Sequence, residues 1–443
     1  MPYKKYYNFL IYMIMASAFL PLVFSNLPPV IRSHHIWTTL WGGSILVFFF
    51  RVLQRKLMLM IIAYALLVLI GLNLFWNQMD EWNKNMLYRE LYAIAVGASI
   101  ITYFNITRDY YSLARITFFT LICVLITAVM TIFTAAINPM YARNLAAGLG
   151  SFNSLSEVEQ AQSILKYGGA TYGMAHAFIG PLAMLIFYYK NSRLLTIKKK
   201  YILVFIILIY VALFSIQFIA NIYIGVAVGV FALLNVKKGV GYFIVSFIII
   251  ILMLIPQNFY IDALYFLGEL FNKNSEIHAK FIDTAAFFDT GAHVVNAETG
   301  LGSRANRYNI LWEAFQRNPL MGCYFFSTEI KSGYNGAGAH LHWMNKLTIT
   351  GIFGLFVFIA PIIYNIRSMV KSIAHQYKFF FLTAVVSILA LGFMKPIWSR
   401  EAWYMFFILI PGMCYLPLIY GRKKRMNINV KRPLSEKIDS ENE

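Results

Sequence analysis

Two arginines in the last third of the chain have the type and spacing that binding of an anionic substrate requires. Arg304 and Arg307 lie one helical turn apart in a segment where Ser303 is a plausible helix cap, and Pro319 with Gly322 predicts the helix stop. Two cations in a first turn are disfavoured by the helix dipole. An anionic ligand reverses that preference, because guanidinium groups and free helix N–H groups then bind it together. The pattern therefore predicts an anion site, with a solvated basic turn as the alternative.

A histidine with the properties of a general base follows that segment. His340 opens the next apolar run, and Gly351 lies three turns further on the same helical face, where another helix can approach closely. An imidazole can take up a proton near neutral pH, which predicts a catalytic role; an interfacial histidine bonded to a carbonyl group is the alternative. His342 is predicted to lie on a different face, toward Lys346, and to support the site without contacting the substrate. The two histidines lack nearby carboxylates or thiolates, so we expect no metal.

The composition excludes a soluble globular protein. The chain is 59% hydrophobic, 17% aromatic and only 13% charged, and its mean hydropathy is +0.62. These values predict an all-α, polytopic integral membrane protein. About twelve apolar stretches are near the length that a hydrocarbon core requires, and they lie near residues 8–24, 37–50, 57–75, 87–104, 114–137, 172–189, 201–216, 218–234, 240–255, 346–364, 379–394 and 402–420.

The spans divide the chain into four regions. Residues 1–256 hold transmembrane helices 1–9 and an outer loop near 138–171. Residues 257–345 form a large helical extracytoplasmic loop between helices 9 and 10, which begins with an interfacial helix and carries Arg304 and His340. Residues 346–420 hold helices 10–12, and residues 421–443 form a polar cytoplasmic tail.

The distribution of charge predicts the orientation. About 24 of the 38 Lys and Arg residues lie on the side of the N-terminus, which places both termini in the cytoplasm. The net charge of +19 is therefore mostly a topology signal, and its scatter among loops argues against nucleic acid as a partner. The three cysteines offer no disulfide framework.

Three of these features together resemble a known family. Arg304, the turn from Asn318 to Gly322, and His340 followed by Thr350-Gly351-Ile352-Phe353-Gly354 are similar to the signature of the O-antigen ligase/polymerase family. The resemblance covers roughly the last third of the chain and rests on a handful of positions. Leu341 stands where that family usually has Asn after the histidine.

The resemblance implies an enzyme of the bacterial cytoplasmic (inner) membrane. It implies a metal-independent glycosyltransferase without a cofactor, which polymerises undecaprenyl-diphosphate-linked repeat units of O-antigen, capsule or exopolysaccharide at the outer leaflet. A ligase that passes the glycan to lipid A-core or another acceptor is the alternative. The implied partners are the lipid-linked glycan, membrane lipids, a glycan or lipid acceptor, and a chain-length regulator or flippase.

Other arginines are candidates for the diphosphate. Many members of the family carry a Ser-Arg-Gly element near the seventh and eighth spans, but residues 215–221 contain no arginine here. Arg143 in the first outer loop and Arg400 before the last span are the substitutes that we consider. Arg307, one turn after Arg304, is a separate candidate for the diphosphate. Near Arg400, Trp398 and Trp403 are predicted to be membrane-belt aromatics.

A lipid-linked-oligosaccharide flippase or other transporter is the alternative of a different class. Transporters tend to have interrupted helices and charges at mid-depth in the membrane. The apolar stretches of this chain predict uninterrupted spans, and the polar residues are grouped in one outer loop. On that basis the sequence favours an enzyme.

Overall fold

The computed structural model describes residues 3–74, 81–137, 169–170, 172–216, 219–234, 257–270, 300–322 and 341–420, with 278, 281–282, 284–286 and 289. Within these ranges the structure describes only the backbone of residues 81–83, 172, 219–220, 234, 257, 260 and 300–307. Helix is the only regular secondary structure in the described part. The predicted all-α class is therefore confirmed.

Eleven helices form the described part of the N-terminal half. They are α1 (Lys4–Phe19), α2 (Pro21–Ser25), α3 (Pro29–Arg32), α4 (His34–Phe48), α5 (Lys56–Leu74), α6 (Glu81–Thr107), α7 (Tyr110–Ile137), α8 (Tyr172–Ile179), α9 (Leu182–Lys190), α10 (Lys199–Ser215) and α11 (Ile219–Leu234). Short 3₁₀ turns follow α4 and α9 at Phe50–Val52 and Ser192–Leu194.

The described part of the C-terminal half adds seven helices. They are α12 (Gln257–Glu269), α13 (Gly300–Arg317), α14 (His342–Ser372), α15 (His375–Leu391), α16 (Arg400–Tyr404), α17 (Ile410–Met413) and α18 (Pro417–Tyr420), with a π-helical turn at Met405–Leu409.

Five helical stretches of the described chain are long and apolar enough to cross a membrane. They are Lys56–Leu74, Lys84–Thr107, Tyr110–Ile137, His342–Ser372 and Arg400–Tyr420, and shorter apolar helices lie at Asn221–Leu233 and His375–Leu391. Each is at least about as long as the hydrocarbon core of a bilayer requires. Their length and composition are compatible with a helical membrane protein.

The first and last described residues lie at the same end of the bundle. Lys4 Nζ is 2.8 Å from Asp109 Oδ2 in the link between α6 and α7. The next residue, Tyr110, stacks on Tyr415 with ring centroids 4.5 Å apart. At the same end of the bundle, the backbone carbonyl oxygen of Tyr420 accepts a hydrogen bond from the N–H of Thr196.

Helix α14 reverses direction at Gly351. An unbroken helix would separate residues 342 and 358 by about 24 Å, yet the rings of His342 and Phe358 are 6.1 Å apart between centroids. Lys346 Nζ also lies 4.7 Å from the centroid of the Phe358 ring. Residues 342–350, which we call the half-helix, therefore fold back beside residues 352–358.

The turn that follows α13 completes the break. Gly351 has φ 65° and ψ −174°, a conformation open essentially to glycine alone. The backbone N–H groups of Ile352 and Phe353, released from the helix, donate to the carbonyl oxygens of Pro319 and Leu320 at 2.9 and 3.2 Å. Because buried backbone groups in a membrane must be paired, this turn is part of the break itself.

We expect Gly351→Ala to abolish correct folding. A Cβ at this position would overlap the carbonyl oxygen of Leu320, and the backbone conformation alone would cost about 1–3 kcal/mol. Gly43→Ala in α4 is the matched control, because no atom lies within 4 Å of its added Cβ. Size-exclusion profiles and thermal midpoints in detergent would measure both, and a monodisperse Gly351→Ala protein with an unchanged midpoint would contradict the packing described.

Candidate functional site

A buried ionic cluster joins the half-helix to α5 and α6. The Nε2 of His342 is 3.0 Å from Oε1 of Glu90, and Lys346 Nζ donates to Oε2 of the same carboxylate. Lys346 Nζ also donates to the hydroxyl of Tyr64 at 3.0 Å. We call Tyr64, Glu90, His342 and Lys346 the Glu90 cluster. All four residues are buried.

One carboxylate thus faces two basic groups in a nearly dry environment. The side chains of Glu90, His342 and Lys346 are 2% exposed or less. Removing such groups from water costs several kcal/mol per ion unless they are paired. Beyond their mutual contact, Glu90 Oε1 and His342 Nε2 have no hydrogen-bonding partner among the described residues. Ionisable groups placed in this way in a membrane helix are a functional-site hypothesis by default.

A second polar layer surrounds His176 of α8. Its Nε2 donates to the carbonyl oxygen of Pro396 at 2.9 Å, and its Nδ1 lies 3.4 Å from Nδ2 of Asn221. The buried carboxylate of Glu401 lies directly against the backbone of Gly173, where a Cβ would not fit. Polar groups of α8, of α11 and of residues 396–401 therefore converge at the link between α15 and α16.

Arg400 is partly neutralised by its own neighbours. Its Nε is 3.1 Å from Oε1 of Glu401, and its Nη2 donates to the backbone carbonyl of Ser17 at 3.4 Å. The Arg400 side chain is 39% exposed, which leaves part of the guanidinium group accessible. An anion could contact it only alongside the Glu401 carboxylate.

His34, which precedes the apolar stretch of α4, is held neutral beside Arg400. Its Nδ1 is 2.7 Å from the hydroxyl of Ser17, and its Nε2 is 2.9 Å from the hydroxyl of Tyr404. Burial, followed by the charges of Arg400 and His35, keeps the pKa of His34 well below its usual value of 6.5. The ring therefore serves as a neutral link between α1, α4 and α16.

We expect the folded protein to lose stability as the pH falls below about 6.5. The unfolded chain takes up a proton at His34 there and the folded chain does not, which costs up to about 1.4 kcal/mol per pH unit. Thermal midpoints from pH 7.5 to 5 in detergent would show the decline, and His34→Gln should reduce it. His375→Gln, which alters an exposed histidine at the start of α15, should not. An unchanged slope in His34→Gln would contradict this assignment.

The predicted site residues are only partly described by the structure. Arg304 and Arg307 belong to α13, where the backbone alone is given. The predicted Ser303 cap is wrong, because the helix begins three residues earlier, at Gly300. The helix stop before Pro319 is confirmed. His340 and Arg143 lie outside the described residues.

The structure does bring together the two elements on which the main candidates depend. The hydroxyl of Thr348 on the half-helix donates to the carbonyl oxygen of Leu311 on α13 at 3.0 Å. Together with the backbone contacts at Gly351, this holds α13, which carries Arg304 and Arg307, against the half-helix that follows His340. The segments quoted for the family resemblance are therefore in direct contact at Pro319–Gly322 and Gly351–Phe353.

The chain matches no family model, no curated protein and no solved structure.

Two sequence predictions need correction. Trp403 is not a membrane-belt aromatic: it is buried against Phe358, Phe406 and Phe407. The prediction of uninterrupted spans is also wrong, because α14 breaks at Gly351 and α8 is separated from α9 at Gly180 and Pro181. A glycine at positive φ and a proline can interrupt a helix within a stretch whose mean hydropathy stays high.

Glu90 is the residue that sequence analysis missed. It lies within the predicted span 87–104, and an acidic side chain inside an apolar stretch is itself the signal that could have identified it. Its partner Lys346 is 256 positions away in the sequence, so no local pattern connects them. Among the described residues, no group of three or more His, Cys, Asp or Glu side chains is placed to hold a metal ion.

Proposed function

We propose that this protein is a membrane glycosyltransferase that polymerises undecaprenyl-diphosphate-linked oligosaccharide repeat units. The observation that carries the proposal is the contact between the Pro319–Gly322 turn and the break at Gly351. It joins α13, with Arg304 and Arg307, to the half-helix that begins directly after His340 and Leu341. The helix that carries the candidate arginines and the half-helix that follows the candidate base in the sequence thus belong to one packed unit.

The proposed chemistry needs only these two kinds of group. Negative charge develops on the diphosphate as the glycosidic bond to the donor breaks, and arginines fixed beforehand stabilise it. His340 takes the proton from the attacking acceptor hydroxyl. Arg304 is the principal diphosphate ligand in this scheme, and Arg307, Arg143 and Arg400 are auxiliary candidates. The Glu401 carboxylate beside Arg400 makes Arg400 the weakest of these.

The proposal includes a topology of about twelve spans in a bacterial inner membrane, with cytoplasmic termini and residues 257–345 outside. We expect Asn274→Cys to react in intact cells with a membrane-impermeant maleimide. Replacing Cys323 with Ser in the parent removes the other thiol of that loop. Labelling only after permeabilisation would contradict the orientation.

The activity can be tested with purified protein in proteoliposomes. We expect wild-type protein supplied with a lipid-linked repeat unit to yield a ladder of longer lipid-linked chains, and to do so in excess chelator. Transfer of the glycan to a lipid A-core acceptor instead would identify a ligase. Absence of both products from every donor tested would contradict a glycosyltransferase.

A transporter of lipid-linked oligosaccharide is a second candidate function. The broken α14 and the Glu90 cluster are features that transporters share, and they remove the argument from uninterrupted spans. The same proteoliposomes separate the two functions. A transporter would move a fluorescent lipid-linked donor between the leaflets, so that a glycosidase added outside would digest the donor of both leaflets. No longer product would form.

A further inference from the structure

The half-helix is too short to hold its own position. It contains nine residues, 342–350, and isolated helices of this length are marginal. Its side chains are bonded to neighbours on two sides. Trp343 Nε1 donates to the carbonyl oxygen of Leu389 on α15 at 2.8 Å, and Thr348 bonds to Leu311 on α13. Each of these contacts is a single hydrogen bond.

The Glu90 cluster provides a more restrictive contact. His342 and Lys346 are four residues apart, so they lie on one face of the half-helix. His342 Nε2 lies 3.0 Å from one oxygen of the Glu90 carboxylate on α6, and Lys346 Nζ donates to the other. Two contacts one turn apart fix the rotation of the half-helix about its axis and its position along that axis. An apolar contact of the same size would permit either to vary.

Stability alone does not explain a cluster of this kind. Replacement of a buried ion pair by apolar residues of similar volume is often neutral or stabilising. Removal of one partner, in contrast, leaves an uncompensated buried charge. The pairing is therefore better suited to selecting one arrangement of the half-helix than to strengthening the fold.

We propose that Glu90 is a positioning residue, which holds the half-helix in one orientation through His342 and Lys346. The bearing of this contact on catalysis rests on the proposed function. The contact also fixes the point at which the chain leaves the half-helix toward His340, which precedes His342 by two residues. Glu90 acts through the half-helix and does not touch the substrate. It would matter equally to any function that depends on the break at Gly351.

The test replaces the ion pair without leaving a buried charge. In Glu90→Met/Lys346→Met both charges are removed and the volumes are nearly kept. The control is Tyr188→Phe, which removes a buried hydrogen bond from Tyr188 to the backbone of Met413, on elements that do not include α14. Hydrogen exchange by mass spectrometry in nanodiscs would follow peptides that cover residues 341–351, and donor turnover would be measured in parallel.

We expect the double variant to stay folded with a modestly lower thermal midpoint, because buried His342 and Tyr64 lose their contacts with Glu90 and Lys346. Exchange of residues 341–351 should accelerate at least about tenfold while exchange elsewhere stays unchanged. Turnover should fall by roughly 10²-fold with little change in KM for the donor, because displacement of a reacting group by about 1 Å has that effect. The Tyr188→Phe control should show neither change.

Two results would overturn the positioning role. One is wild-type exchange in residues 341–351 of the double variant; the other is equal acceleration in all peptides, which would indicate general stabilisation. The exchange data decide the inference even if no transferase activity is found. Local acceleration in a protein without transferase activity would support the positioning role and contradict the proposed function.

Discussion

His340→Ala should slow glycosyl transfer by something like 10²- to 10⁴-fold and leave donor binding intact. General-base catalysis by a positioned imidazole contributes an effect of that size. The diphosphate, in the proposed mechanism, is held by arginines, so loss of the imidazole should not weaken binding of the lipid-linked donor. The measurement is turnover and donor affinity of the variant in nanodiscs, with wild-type protein prepared in parallel.

His375→Ala is the matched control for this substitution. His375 is exposed and is the first residue of α15, directly after the short link that follows the end of α14 opposite to the half-helix. Its replacement should leave both turnover and affinity unchanged. Near-normal turnover in His340→Ala would remove the histidine from the mechanism, and loss of donor affinity in step with turnover would point to a binding role.

The local elements of the C-terminal third could be predicted because their signals are local. Pro319 and Gly322 lie directly after the helix that they terminate, and α13 does end at Arg317. Hydropathy identified the long apolar helices, since burial of backbone in lipid requires continuous apolar stretches. Hydropathy carries no information on the φ angle of a single residue, and the reversal of α14 depends on the φ angle of Gly351.

The Glu90 cluster could not be predicted for a different reason. Its contacts depend on the fold-back of the half-helix, which brings Lys346 to the level of Phe358 and Tyr64. In an unbroken helix, His342 and Lys346 would lie far along the axis from Phe358. The sequence could therefore predict a supporting role for His342 but not the residue that it contacts. The carboxylate that it contacts became apparent only with the tertiary arrangement of α5, α6 and α14.

The break at Gly351 also changes how the two candidate functions are weighed. A fixed half-helix is what an enzyme needs to hold a base, whereas a transporter needs a half-helix that moves between two states. The half-helix is held by the backbone of the Pro319–Gly322 turn, by Leu311, by Leu389 and by Glu90. These attachments to four neighbouring segments are what the proposed glycosyltransferase requires, whereas a transporter would need a second arrangement of the half-helix in which they are released.

Arg304→Lys should remain badly impaired although it keeps the positive charge. A diphosphate is bound best by a planar guanidinium group that donates two parallel hydrogen bonds, and an ammonium group cannot reproduce that geometry. Loss of one such contact in a desolvated site should raise the barrier by about 2–4 kcal/mol, which is roughly 10²- to 10³-fold in rate.

Arg317→Lys is the control. It distinguishes loss of the guanidinium group at the diphosphate site from loss of a guanidinium group elsewhere on the same helix. Arg317 is exposed at the last turn of the same helix, directly before the turn that contacts Gly351. The substitution is chemically identical, and the distance from Arg304 is more than three helical turns, or about 20 Å.

We expect turnover of Arg317→Lys within about twofold of wild type, since exposed charges of this kind contribute little. If Arg304→Lys matched it, the diphosphate would be bound elsewhere and the role given to α13 would be wrong. If both variants lost activity together, the helix would require its arginines for folding, and thermal midpoints of the two proteins would show it.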